Sequence, residues 1–180
     1  MIKVATAECF THGHIAREIH AMSQGYEGEF GCNYPLSRNI KTDLTVVCGI
    51  FAPTISALQN ILKVNPPKPL KLIRGIKVYD EENDKKVAIL MANAVKDISD
   101  VDIGIGTTAG IGRGGIAIST QEFTAVTDSG YYADLTASCS SQLLKRQKYG
   151  VKKAVSIFLD ILDDDLGKIE EYGDIDILDK

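Results

Sequence analysis

The stretch Thr6-Ala7-Glu8-Cys9-Phe10-Thr11-His12-Gly13-His14-Ile15-Ala16 is where a strand pattern gives way to a helical one. Before it, residues 3–7 alternate polar and apolar, which predicts a half-buried strand. After it, Ile15, Ile19 and Met22 recur at the spacing of one helix face. Cys9 therefore falls in a strand-to-helix turn. Backbone N–H groups at a helix start carry partial positive charge, and a sulfur held there has its thiolate favoured. A protonated His12 would add to that effect, and the adjacent Glu8 would oppose it. A free cysteine is equally a small hydrophobe suited to burial, so position alone leaves both readings open.

Further along, residues 45–51 form a continuous apolar run bounded by Asp43 and Pro53, the pattern of a strand buried on both faces, with Cys48 a core residue inside it. Residues 54–64 carry Ile55, Leu58, Ile61 and Leu62 at helical spacing. Asn65-Pro66-Pro67-Lys68-Pro69 must leave helical geometry and reads as an extended, solvated connector. Residues 72–79 read as one strand with Gly75 inside it, and Asp80 as the cap of a helix over residues 81–99 with Val87, Leu90, Met91, Ala94 and Ile98 on one stripe. The acidic residues in its first turns need no role beyond complementing the helix dipole.

A strand at residues 101–105 opens into Gly106-Thr107-Thr108-Ala109-Gly110-Ile111-Gly112-Arg113-Gly114-Gly115, five glycines in ten residues. Such a stretch lets the backbone approach a ligand and present N–H groups to phosphate, with Thr107, Thr108 and Arg113 as side-chain donors. It would serve equally as the connection of a hairpin between residues 101–105 and 116–120. No Lys-Ser or Lys-Thr ending follows, so ATP hydrolysis is not implied. Residues 116–119 and 123–127 predict an antiparallel hairpin. Residues 138–149 and 151–166 predict two helices separated at Gly150, and the acidic end from about 163 to 180 reads as solvated.

Strands and helices in this order predict an α/β fold, a mixed β-sheet covered by helices, in one domain spanning residues 1–180. Ligands in such sheets bind beyond the carboxyl ends of the parallel strands, where Cys9 and the Gly106 stretch would both lie. A net charge of −4 gives no reason to expect nucleic acid, and no apolar stretch reaches the length of a membrane helix. A cytoplasmic protein is expected. Cys9, Cys32, Cys48 and Cys139 show neither a CxxC pair nor a metal-ligand spacing, so no metal site and no disulfide framework is expected, and Cys32 and Cys139 are read as chemically idle. Residues 24–42, rich in glycine, are either a lid or a plain surface connection.

The opening stretch resembles the Thr-Ala-Glu-Ser-Cys-Thr-Gly-Gly-Leu-Ile-Ala signature of CinA-like C-terminal domains, the nicotinamide mononucleotide deamidases. Cys9 stands at the place of that family's nucleophilic serine. The stretch from Gly106 to Arg113 resembles the same family's Thr-Gly-Ile-Ala-Gly-Pro-Gly-Gly loop. Pro53 and Leu58 stand where those deamidases carry a Tyr and a Lys. The Ala-Thr-Ala-Glu-Cys-Phe-Thr-His-Gly opening and the order of the whole chain resemble a methanogen family, HcgF, of iron-guanylylpyridinol (FeGP) cofactor biosynthesis for [Fe]-hydrogenase.

That resemblance implies that Cys9 is the catalytic nucleophile and that it accepts the carboxyl group of guanylylpyridinol, adenylylated by a partner enzyme, as a thioester. Guanylylpyridinol or its AMP-activated form is then the substrate, with no tightly bound cofactor of the protein's own. Glu8, Thr11 and His12 beside the nucleophile, and Gly106, Thr107, Thr108, Gly110, Gly112, Arg113 and Gly114 downstream, are the candidate ligand-binding residues. Related domains self-associate, so a homo-oligomer is a further expectation. The competing functions are a pyridine-nucleotide amidohydrolase using Cys9 and a non-catalytic carrier of guanylylpyridinol.

Overall fold

The computed structural model describes residues 1–30, 43–163 and 166–180. Its strands are β1 Ile2–Glu8, β2 Leu44–Phe51, β3 Lys71–Ile73, β4 Ile76–Val78, β5 Ile103–Thr108, β6 Ile111–Gly112, β7 Gly115–Ser119, β8 Phe123–Thr127, β9 Ala133–Asp134 and β10 Asp176–Asp179. The helices, numbered here in chain order, are α1 His14–Ser23, α2 Ile55–Asn60, α3 Glu81–Ser99, α4 Ser140–Leu162 and α5 Leu166–Glu171. Six strands form one mixed sheet in the order β10-β8-β7-β5-β1-β2, with β1 parallel to β2 and β5 and the other pairs antiparallel. Apolar side chains pack on both faces. Ile15, Ile19, Val151, Val155 and Phe158 of α1 and α4 cover one face, and Leu58, Val87, Met91 and Val95 of α2 and α3 cover the other. The α/β reading therefore holds. No described helix is long and apolar enough to cross a membrane.

Two strand readings are exchanged. β1 was expected to be half-buried, yet it is the inner strand between β2 and β5, and its residues from Val4 to Glu8 are all inaccessible. Its polar residues tolerate this because Thr6 Oγ1 donates to Glu8 at 2.9 Å. β2, expected to be buried on both faces, is the sheet edge, with Val47 46% and Phe51 52% exposed. Cys48 accordingly is only partly buried, with its sulfur 3.2 Å from Ser99 Oγ.

Further corrections follow from glycines and pairing. Residues 71–78 are not one strand but the hairpin β3–β4, because Arg74 (φ 52°) and Gly75 (φ 83°) both adopt the left-handed conformation of a tight two-residue turn. Helix α2 is shorter than its apolar spacing implied. Its cap is Thr54, whose side chain accepts from Ala57 N, and the proline connector is tied down where Tyr79 Oη donates to Pro67 O at 2.7 Å. Helix α3 and its Asp80 cap match the sequence reading. Helix α4 runs unbroken through Gly150, which is a notch rather than a stop: a Cβ there would lie 2.5 Å from Phe10 Cε2. The end of the chain is not simply a solvated tail, since β10 pairs with β8 as the outer strand of the sheet. Cys139 is exposed at the start of α4, whereas Cys32 and most of the expected lid segment lie outside the described residues.

The glycine-rich stretch divides between strand and turn. Gly106, Thr107 and Thr108 complete β5, and the antiparallel pairing of β5 with β7 makes the whole stretch the connection of a hairpin. Gly106 lets α3 approach the sheet: a Cβ there would run into the carbonyl oxygen of Ala88 and lie 2.5 Å from Ala92 N, both on the helix backbone. Gly106→Ala is therefore expected to lower stability by about 1–3 kcal/mol, the usual cost of overpacking. A urea midpoint below that of the unmodified protein, at an unchanged slope, is the expected reading.

Candidate active site

Glu8 ends β1 with its side chain wholly buried, and its carboxylate accepts from Ile15 N at 3.2 Å and Ala16 N at 2.9 Å, besides Thr6. Because α1 has no side-chain cap at Gly13, this carboxylate supplies the partner its first N–H groups need. The expectation that those donors serve the Cys9 sulfur is corrected, since two of them are spent on Glu8. Residues 9–13 form the intervening turn, closed by His12 N to Cys9 O at 3.2 Å and by left-handed conformations at His12 and Gly13. The turn is anchored to β5. Cys9 N donates to Thr107 O at 2.9 Å, and the hydroxyls of Thr11 and Thr107 are 2.7 Å apart.

Cys9, 6% exposed, faces a cleft of about 190 Å³ at the carboxyl ends of the parallel strands. Phe51 at the end of β2, Pro53 just beyond it, Ala109 beyond β5, and Ile76 of the β3–β4 hairpin form one side. Helix α4 closes the other with Leu143, Leu144, Arg146 and Gln147. Beside Cys9, His12 stands edge-on to Phe51, ring centroids 5.4 Å apart. Burial and the neighbouring His14 hold its pKa below the ordinary 6.5, against the pull of Glu8. The imidazole is thus neutral near neutral pH, which corrects the idea of a His12 cation and leaves a proton acceptor lining the same cleft as Cys9.

The downstream candidates lie behind the cleft. None of Gly106, Thr107, Thr108, Gly110, Gly112, Arg113 and Gly114 lines it, although Ala109 in the same stretch does. Two of the groups expected to meet phosphate, Gly110 N and the Arg113 guanidinium, are occupied within the protein, whereas the buried Thr108 hydroxyl has no partner among the described residues. Gly110 N donates to Asp84 Oδ2 at 2.7 Å, and Arg113 pairs with Glu81 at 2.6 Å and with Asp128 at 3.5 Å. The hydrogen bond from Arg113 holds the Glu81 carboxyl below its usual range.

Arg146 and Gln147 were not singled out from the sequence. Arg146 is 2% exposed, and its Nη1 donates to the carbonyls of Gly110, Gly112 and Ala133 at 3.0, 2.9 and 2.6 Å. Burial pushes its pKa down, opposed by Asp84 and Cys9. The one available signal was phase: Arg146 stands four residues before Gly150 on the buried stripe that continues through Ala154 and Phe158. Asp84, in the first turns of α3, also exceeds the dipole role assigned to it, being fully buried against Gly110.

Burial pushes the Asp84 carboxyl from its ordinary 3.8 up to about 7, despite the Gly110 N–H and the charges of Arg146 and Lys77. The folded protein therefore holds this proton more tightly than the unfolded chain. Its contribution to stability is complete below the unfolded value of 3.8 and is lost as pH rises through about 7. Against Asp84→Asn, which cannot ionise, the wild type should lose relative stability between pH 5 and pH 7 and show no further loss above pH 8. Paired urea titrations across that range check this.

With this geometry in view, similarity to known proteins becomes specific. The family described as FeGP cofactor biosynthesis protein HcgF matches residues 1–162. A UPF0254 protein of Methanothermobacter thermautotrophicus (strain Winter) is 51% identical over 159 residues, covering 87% of this chain and 93% of that one. Another UPF0254 protein, from Methanopyrus kandleri, is 43% identical over 159 residues, covering 88% of this chain and 86% of its own. Among solved structures, a competence-damaged protein (CinA) superfamily member from Enterobacter cloacae superposes with a TM-score of 0.56 at 17% identity, covering 89% of this chain and 82% of that one. That likeness concerns the fold alone. On the match over residues 1–162 and the identity to these methanogen relatives, the chain belongs to the HcgF family of FeGP cofactor biosynthesis proteins.

Proposed function

We propose that the protein is an acyl-accepting enzyme of FeGP assembly, in which Cys9 takes the adenylylated carboxyl group of guanylylpyridinol as a thioester. The observation that carries this reading is Cys9 itself, set in a small apolar cleft with a neutral His12 and the buried guanidinium of Arg146. A thiolate attacks an acyl-adenylate readily, and the thioester formed retains enough reactivity to become the acyl ligand of iron. The thiol proton passes to His12, and AMP leaves with the electron pair of the broken carbon–oxygen bond. The cleft is smaller than the usual 300–1,000 Å³ of drug-sized ligand sites, so it takes the pyridinol ring with its acyl group while the guanylyl end extends outside.

The substrate arrives from a partner that adenylylates carboxylates. Pro53 borders the cleft, and neither it nor Leu58 can supply the hydroxyl and amine that the resembling deamidases carry, which disfavours amide hydrolysis. Intact-mass measurement after mixing with adenylylated guanylylpyridinol should give one adduct, mapped to Cys9, discharged by hydroxylamine and missing from Cys9→Ala. An adduct at another residue, or steady turnover of nicotinamide mononucleotide to ammonia, would contradict the reading. His12→Gln should slow adduct formation by about 10²-fold or more, the usual contribution of a positioned base.

A further inference from the structure

Two residues that line the Cys9 cleft each keep a buried donor with no partner among the described residues. Arg146 commits Nη1 to three backbone carbonyls, yet its Nε, also buried, donates to no described group. Gln147, 5% exposed and next along α4, leaves its Nε2 equally unpaired. Both residues line the cleft with Cys9. A buried donor without an acceptor costs stability, on the order of 1–3 kcal/mol in mutational series, and two on successive residues of one cleft wall leave hydrogen-bonding capacity for an acceptor that enters the cleft. The acceptor is an oxygen, since these are N–H groups. An oxygen on which negative charge develops suits the pair best, since one of the donors belongs to a guanidinium.

We propose that Arg146 and Gln147 are catalytic residues that hydrogen-bond the acyl oxygen of the group being transferred to Cys9. The inference rests on the thioester reading and assigns the electrostatic half of that reaction. As the sulfur attacks the carbonyl carbon, a carbon–sulfur bond forms and the carbonyl π pair moves onto oxygen, which accepts hydrogen bonds from Nε–H of Arg146 and Nε2–H of Gln147. Collapse restores the carbonyl and breaks the bond to the phosphate oxygen, which leaves as AMP with its electron pair. The three carbonyls that grip Nη1 hold the guanidinium in place before the substrate arrives, so no reorganisation is required when the charge develops. The pair need not act on the thiol itself.

That last feature separates catalysis from scaffolding. Alkylation of Cys9 by iodoacetamide displaces iodide from a saturated carbon and develops no carbonyl oxyanion. Acylation by adenylylated guanylylpyridinol does. Gln147→Met removes one donor without changing charge or bulk, and Arg146→Lys keeps the charge while removing the fixed fork. Each variant is compared with wild type in both reactions, with Cys9 modification followed by peptide mass and scored only in the folded fraction. The expected result is a loss of about 10²-fold in acylation rate in each variant, with the alkylation rate and its pH profile unchanged. Equal falls in acylation and alkylation would overturn the proposal in favour of a purely structural role, and so would acylation at the wild-type rate in both variants. Failure of the wild type itself to form an adduct would instead overturn the thioester reading, which keeps the two failures apart.

Discussion

The arrangement of the site depends on one buried carboxylate. Glu8 is inaccessible to solvent, and its oxygens satisfy Thr6 on its own strand and Ile15 and Ala16 at the start of α1. An ionised carboxylate is expensive to bury unless its lone pairs are filled, and helix N–H groups are expensive to leave empty. Each need answers the other. The chain is thereby obliged to reverse within residues 9–13, and the left-handed His12 and Gly13 are the cost of so short a turn. Cys9 is held at the first position of that turn, its N–H fixed to Thr107 on the neighbouring strand. Cys9 is thus placed by bonds that do not touch its sulfur.

Across the cleft, a second arrangement of the same kind holds α4. Gly110 donates its N–H to Asp84 on α3 and accepts at its carbonyl from Arg146 on α4, so one residue joins helices on opposite faces of the sheet. Gly110 has to be glycine, because a Cβ would lie 2.4 Å from the backbone of Tyr79. Burying an arginine and an aspartate here costs several kcal/mol that apolar residues of similar volume would not. Such a cost is sensible where a rigid, charged donor is wanted beside a reacting sulfur, and an apolar substitute would fill the space without supplying one. The glycine-rich stretch therefore ties together the walls of the cleft through Gly110 and Gly112.

Much of this was legible from residue patterns. The switch from alternating to helical periodicity around Cys9 located the turn, and the apolar stripe behind Asp80 located α3 with its cap. The β7–β8 hairpin followed from alternation. Periodicity could not tell an inner strand from an edge. Lys3 and Thr6 made β1 look half-exposed because the hydrogen bond from Thr6 to Glu8 is a property of three dimensions, and the apolar β2 looked central although it is the edge. Glycine was the other source of error. Gly75 makes a turn, Gly150 makes room for Phe10, and Gly106 makes room for a helix, whereas composition treats all three alike. Arg146 and Gln147 were missed because a polar residue in phase with a buried stripe announces itself only when its partners, or their absence, can be counted.

The central claim is that Cys9 and the α4 donors together form an acyl-transfer site, and a crystal structure after soaking with adenylylated guanylylpyridinol tests it most directly. The account predicts continuous density from Sγ of Cys9 to the acyl carbon, the pyridinol ring between Phe51 and α4, the acyl oxygen within hydrogen-bond distance of Arg146 Nε and Gln147 Nε2, and the guanylyl group outside the cleft. Pyridinol bound away from Cys9, or bound in the cleft with its carboxyl group turned from both the sulfur and α4, would contradict it.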